Sequence, residues 1–409
     1  MARLHTATLT GLLLPSLLAS ACDTAPPEPV TTRDSADVAI TLSHLPAWDV
    51  DTEWYVEAEM PRLVVGGLVG QRPYEFTTVG DARILDNGQL LVTHCSNPPE
   101  LRLYAPDGSF VRTLGGPGSG PGQCNFILHS WLATDTVILY DPSLARITYF
   151  PLGQGAPRVL DLDAAGLGDV EDSAPLWTSR FGDGTLLGRP NRPGPVVDGW
   201  SRAPFPYVRL DPESFQLDTL LQARGTEYVV EGLGTPQEDV RPVLFSPFTH
   251  ALAHGGALYV ADSESFWIDA RRPDGTLVRR FGRAWEPVRI DRRFRQRYQE
   301  QQITAATTSQ RAATRREMAR AVFADHFPAH EGELIVDPEG NLWVMHVRVP
   351  GEVDRGWSVF SSVGRWLGDV RVPVELRVTD IGVDHVVGVW RGEDGVQTIR
   401  VYDLVKPAG

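Results

Sequence analysis

Five polar residues stand at, or just before, apolar runs that read as strands: Asp81, His129, His250, His330 and Asp380. Imidazole and carboxylate groups delivered from several strands to one axis could hold a metal ion with an open position, such as zinc or calcium. The ligand types differ from strand to strand, however, and no two of them stand at the short spacing of a local metal motif. Histidine near an inner strand has a second role, as a hydrogen-bonded wall residue of a channel. A different chemistry comes from Arg189, Arg192, Trp200 and Arg202 in one insertion and Arg348, Arg355 and Trp357 in another. Arginine and tryptophan are favoured binding anchors, unless their loops pack only on each other. The chain carries no nucleophile elbow, zinc-protease helix, phosphate loop or dinucleotide fingerprint, so no catalytic residue is assigned.

The elements that must position these residues are short strands. Gly88-Gln89-Leu90-Leu91-Val92 leads through Leu101–Tyr104 and a Pro106-Asp107-Gly108 turn to Phe110–Leu114 and Gly115. The same phrase returns as Gly256–Asp262, Phe266 to Ile268, Pro273-Asp274-Gly275 and Leu277–Phe281 with Gly282. Such an all-strand unit cannot bury its own apolar faces, so its repetition predicts sheets set radially around an axis. Hairpin turns between first and second strands mark the register at Asn87-Gly88, Thr134-Asp135, Asp183-Gly184, Gly255-Gly256, Glu339-Gly340 and Val383-Asp384. Those marks predict six sheets. Leu63-Val64-Val65 is followed by Gly66-Gly67, much as Phe110–Leu114 is followed by Gly115-Gly116. It therefore reads as an outermost strand whose partners, Arg377 to Ile381, His385 to Trp390 and Thr398 to Leu404, lie at the far end of the chain. Pairing them closes the ring without a free edge.

The Pro-Asp-Gly turns at 106–108 and 273–275, the glycine-rich exit at 115–123 and Asp337-Pro338-Glu339-Gly340-Asn341-Leu342-Trp343-Val344 resemble those of bacterial six-bladed β-propeller lipoproteins, relatives of the NHL-repeat and TolB-like propellers. The resemblance runs in pattern over most of residues 60 to 405. It implies an all-β, six-bladed propeller closed by an N-terminal strand, with a helical insertion between blades four and five. Propellers of this shape include metal-dependent lactonases and lyases. A metal-dependent hydrolase or lyase using zinc or calcium at the axis is thus the alternative to a non-catalytic ligand- or protein-binding scaffold that needs no cofactor.

The first 21 residues read as a signal peptide, with Arg3 before an apolar stretch from Leu9 to Leu18 that is too short to span a bilayer. Leu18-Ala19-Ser20-Ala21-Cys22 resembles a lipobox, which implies a lipid on Cys22, although Ala19-Ser20-Ala21 also suits plain secretion. Residues 22–50 are expected to be a flexible, lipid-anchored tether, since Asp23 to Ser35 is rich in proline, threonine and acid. Residues 51–405 are expected to form the propeller. This predicts a lipid-anchored, extracytoplasmic protein of the bacterial cell envelope. Once exported, Cys95 and Cys124 form an even pair that could be a disulfide or two buried thiols. With 38 basic and 52 acidic residues the chain has net charge −14, which excludes nucleic acid as an expected partner and leaves the protein or small-molecule ligand unnamed.

All the long insertions fall on the side carrying the second-to-third loops and the inter-blade crossings: Arg189 to Pro206, Gln222 to Leu244, Arg283 to His330, and His346 to Gly356. Long loops gathered on one side of a rigid scaffold are where binding usually resides. The insertion over about 285–327 lacks glycine and proline from Asp291 to Phe323 and reads as helical. Ile290, Phe294 and Tyr298 give it an apolar stripe, and its polar side is rich in arginine. That side could meet an acidic ligand or lipid headgroup, or pair with acidic loops of the same protein.

Overall fold

A period of two carries the chain into short strands, and residues able to adopt positive φ turn it back. The computed structural model describes residues 28–67, 71–95, 98–168, 174–191, 194–348, 354–392 and 395–407. Gly88, Thr134, Gly184, Gly255 and Gly340 all hold positive φ, and each joins the first two strands of a sheet. The described residues form six sheets, whose first strands are Val79–Ile84, His129–Ala133, Pro175–Arg180, Thr249–His254, Leu334–Val336 and Leu376–Ile381. We number the sheets one to six in that order. Each first strand touches the next, and the sixth touches the first, so the circuit closes in a β-propeller arrangement. Six apolar cores lie between neighbouring sheets; the one between sheets five and six is built on Trp343, Trp357, Val370 and Leu376.

The closing strand lies where the repeat places it. Leu63–Val65 pairs antiparallel with Gln397–Val405, Val65 opposite Ile399 and Leu63 opposite Val401. The turn glycines are constrained by contact as well as by φ. A Cβ on Gly275, at φ +87°, would sit 2.5 Å from the Leu220 carbonyl oxygen of the neighbouring sheet.

Over the described residues 28–50, the expected tether is a correction. Val30–Ser35 and Val38–Ser43 form a hairpin whose second strand pairs parallel with Leu277–Arg283, the outer strand of sheet four. The chain then crosses sheet five, where Ala47 N and Trp48 N donate to the Trp366 and Leu367 carbonyls at 3.1 and 2.8 Å. At sheet six Tyr55–Val56 pairs with the end of the last strand. The physical reason is edge satisfaction. The β-branched alternation of Val38-Ala39-Ile40-Thr41 completes a row of backbone groups that would otherwise lie open.

Two of the expected loop insertions are a second correction. Arg189–Pro206 and Gln222–Leu244 contribute to one long ribbon, because Gly199–Leu210 and Leu217–Glu231 pair far beyond the body of sheet three. Asp239–Leu244 extends this ribbon, and Val322–Phe323 adds to it in parallel. Between sheets four and five come two helices, α1 (Arg292–Ala305), capped by the Asp291 carboxylate, and α2 (Arg311–Arg320). Ile290, Phe294, Phe323 and Phe327 pack with Val243 in a seventh apolar cluster. Among the described residues no helix is long and apolar enough to cross a membrane.

Candidate functional site

The first strands line an axial channel, and residues two apart share a face of the strand. Asp81 and Arg83 have this spacing and pair directly. The Asp81 carboxylate also accepts a hydrogen bond from Ser130 Oγ at 2.9 Å, and Ser130 Oγ in turn accepts from Thr93 Oγ1 at 3.1 Å. On the sixth strand, Thr379 Oγ1 donates to the Ala82 carbonyl at 2.6 Å, while the Asp380 carboxylate accepts from Ile84 N at 3.3 Å. Arg377 Nη2 donates to the Val79 and Gly80 carbonyls at 2.8 and 3.1 Å. Sheets six, one and two are thereby stitched together across the wall.

Burial and charge oppose each other in this belt. Burial disfavours the Arg83 cation, but the Asp81 and Asp380 carboxylates prevail and hold its pKa above the ordinary value. Burial raises Asp380, with Arg83 acting against it. Burial likewise raises Glu333 at the start of the fifth strand, against the pull of Arg377 and Arg355. His129 is pushed down by burial despite Asp81.

At the end where the inner strands begin, a cavity of about 490 Å³ opens, with Cys95, Phe126, His129, Glu333 and Arg377 in its wall. A second, of about 400 Å³, lies toward the hairpin end with Arg180 and His254, and His129, Ser130 and Thr379 line both. The first opens on the side of the inter-sheet crossings. There the Glu333 carboxylate makes no hydrogen bond among the described residues, whereas Asp81 is engaged by Arg83 and Ser130. A carboxylate, a guanidinium, an imidazole and hydroxyls facing one space suit a polar ligand carrying both donors and acceptors.

The residues expected to bind do not gather on one surface. Arg189 lies with its guanidinium 5.5 Å from the Phe248 ring, and its charge is felt by His129 and His250. Arg355 likewise acts on Glu333, so both reach toward the axis. Trp200 stands on the ribbon, 61% exposed, and Arg348 is exposed next to sheet five. Arg192 and Cys22 lie outside the described residues. Trp357 is a correction: it is 1% exposed within the core between sheets five and six. Arg202 is another, being committed to Asp262 at 2.8 Å and Glu264 at 3.2 Å, with Arg224 on the same two acids. Removing one cation from a partly buried cluster leaves two carboxylates sharing the other. Arg202→Ala is therefore expected to lower stability by roughly 1–2 kcal/mol, measured by denaturant unfolding.

The disulfide is also corrected, since Cys95 and Cys124 are both free, buried thiols. Cys95 Sγ lies beneath Gly80, where a Cβ would come within 2.2 Å, while Cys124 Sγ faces the Pro99 and Gly116 carbonyls at 3.7 Å. Burial pushes Cys95 up to about 11 and Cys124 to about 12, so both remain protonated at neutral pH.

The histidines expected at the axis fall in separate places. His250 and His330 have ring centroids 6.3 Å apart, His129 lies against Trp131 on sheet two, and among the described residues no three His, Cys, Asp or Glu side chains group as ligands. His94 and Asp141 serve locally, His94 Nε2 accepting from Thr77 N at 3.2 Å and Asp141 capping Ser143 N and Leu144 N. Sequence reasoning missed Arg83, Ser130, Glu333 and Arg377. Arg83 carried a signal, since it stands two residues beyond Asp81 on the same strand.

No family model matches the chain, and no curated protein matches it by sequence. Among solved structures it is similar to a member of the DUF4221 family from Bacteroides vulgatus, at 7% identity and a TM-score of 0.49, over 87% of this chain and 99% of that one. A Bacteroides fragilis protein named for its expected export aligns at 12% identity and a TM-score of 0.45, also over 87% and 99%. The calcium-binding protein regucalcin of Agrobacterium tumefaciens aligns at 8% identity and 0.38, over 82% and 93%.

Proposed function

We propose that the chain is a six-bladed propeller, held by a lipid on Cys22 at the extracytoplasmic side of a bacterial membrane, that captures a polar ligand at one mouth of its axial channel without transforming it. The observation that carries this reading is the Glu333 carboxylate, without a hydrogen bond among the described residues and facing a cavity that also receives Arg377 and His129. Binding rather than catalysis is supported by the state of the other acids. Asp81 is held by Arg83 and Ser130, and Asp380 by Ile84 N, so each is spent on the wall. The lipobox-like Ala19-Ser20-Ala21-Cys22 supports the anchor.

A thermal-shift and calorimetric screen of amino acids, short peptides and oligosaccharides tests the mouth. A ligand is expected whose affinity falls at least tenfold in Glu333→Gln, a change that keeps shape and removes charge, while the melting temperature of the free protein changes little. Binding unaffected by Glu333→Gln and by Arg377→Met would sink the axial site. The anchor is read separately, from the mass of the N-terminal peptide of the mature protein.

A further inference from the structure

We infer that the arginine face of the helical insertion docks on an anionic lipid surface, so that sheet four is the edge of the molecule nearest the membrane. This rests on the reading that Cys22 carries the anchor. The insertion is fixed in orientation. Its stem is a short ladder in which Ile290 N donates to the Asp325 carbonyl and Phe327 N to that of Val288, at 2.8 and 2.9 Å. Phe294 and Tyr298 turn inward, with ring centroids 4.7 Å from Phe327 and 5.1 Å from Phe245 respectively.

The opposite faces of α1 and α2 carry Arg292, Arg293, Arg297, Arg311, Arg315 and Arg316, all exposed. None of the six forms an ion pair among the described residues. Pairing with acidic groups of the same protein accounts for only two neighbours, Arg295 with Asp325 at 3.7 Å and Arg320 with Asp239. Exposed arginines outside ion pairs, more numerous here than the exposed Glu286, Asp291, Glu300 and Glu317 of the same insertion, meet an extended anionic surface well, and each adds to adsorption within a Debye length. The acidic bulk does not oppose this strongly, because at physiological salt its field is screened beyond about 8 Å.

The placement of the N-terminus is an independent observation. Val30 pairs with Ser43, Ser43 pairs alongside Arg283, and Ala284 N donates to the Ser43 carbonyl at 2.8 Å. The first described residues therefore emerge where the outer strand of sheet four ends and the chain departs into the helices. Cys22 stands six residues before Glu28, a reach of about 20 Å at full extension. A lipid there brings this corner, from which the chain runs on into α1 eight residues later, to the bilayer. The cavity of about 490 Å³ is lined from sheets one, two, five and six, so sheet four contributes no residue to its wall.

The test uses the full chain carrying Cys22→Ser, so that no lipid contributes, with vesicles of phosphatidylcholine containing about one-third phosphatidylglycerol against phosphatidylcholine alone. Sedimentation should show at least tenfold stronger binding to the anionic vesicles, abolished by high salt. Reversing Arg292, Arg293 and Arg297 to Glu should lower that binding by roughly two orders of magnitude with an unchanged melting curve. Equal binding to both vesicles, or a preference that survives the reversal, overturns the inference. Capture by an acidic polypeptide without vesicle binding also overturns it and gives the face to a protein partner. If the wild-type protein proves unlipidated, the anchor falls while this measurement keeps its meaning.

Discussion

Trp357→Ala is expected to destabilise the protein by about 4 kcal/mol, the range for deleting a large aromatic from a packed core. The indole is 1% exposed and packs with Trp343, Val359, Val370, Val372 and Leu376 between sheets five and six. No partner can collapse easily into the void, because these neighbours are held on two different sheets. Its Nε1 makes no hydrogen bond among the described residues. Trp357→Phe should therefore cost much less, about 1.5 kcal/mol or below, since it keeps an aromatic ring and removes an unpaired donor. Urea unfolding of the two variants measures both numbers. A loss below about 1 kcal/mol for the alanine form would return Trp357 to the surface role that its neighbours in sequence suggested.

What was legible follows from what is local. The hairpin marks could be read because positive φ demands glycine, asparagine or aspartate, and Gly88, Gly184 and Gly340 meet that demand in place. The closing strand could be read because Leu63-Val64-Val65 and its glycine exit copy a strand found elsewhere in the repeat. The helices followed from a long interval free of glycine and proline. The site was less legible, because the direction of a side chain at the axis depends on pairings across the whole chain. Arg377 reaches the Val79 carbonyl only because the sixth sheet closes on the first. Glu333 precedes Leu334-Ile335-Val336 by one residue and gave no sign that its carboxylate would face a cavity. Trp357 was read with a loop because Arg355-Gly356 looked like its end, whereas Asp354–Phe360 is one strand and Trp357 faces Met345 in its ladder. Cys95 and Cys124 both come to the crossing side, yet proximity of backbone did not determine where each sulfur points. The Val38-Ala39-Ile40-Thr41-Leu42 alternation was present but masked by the proline-rich stretch before it.

Acid should unfold this protein well before its carboxylates are neutralised, and His330 should be the main reason. The ring is 0% exposed, both nitrogens lack a partner among the described residues, and Phe266 lies 5.5 Å away by ring centroids. Burial, and secondarily the nearby His250, push its pKa down to about 3. Burial and the Arg189 charge push His250 down to about 4. In the unfolded chain both return to about 6.5. The unfolded state thus binds more protons below that value, so stability is complete above about pH 6.5 and falls as pH drops toward 4. Each histidine contributes a slope of up to about 1.4 kcal/mol per pH unit in that window. Asp380 and Glu333 act in the opposite sense, because their raised values let the folded state take up protons earlier than the unfolded chain. His330→Leu separates the contributions, since it keeps an apolar side chain of similar size and removes one titration. Between pH 6 and 4 the variant should lose stability less steeply than the wild type, by about 1 kcal/mol per pH unit. Parallel pH profiles for the two proteins would mean that the imidazole takes up its proton without unfolding, and that water or a rearranged neighbour reaches a ring that the packing around Phe266 and His250 encloses.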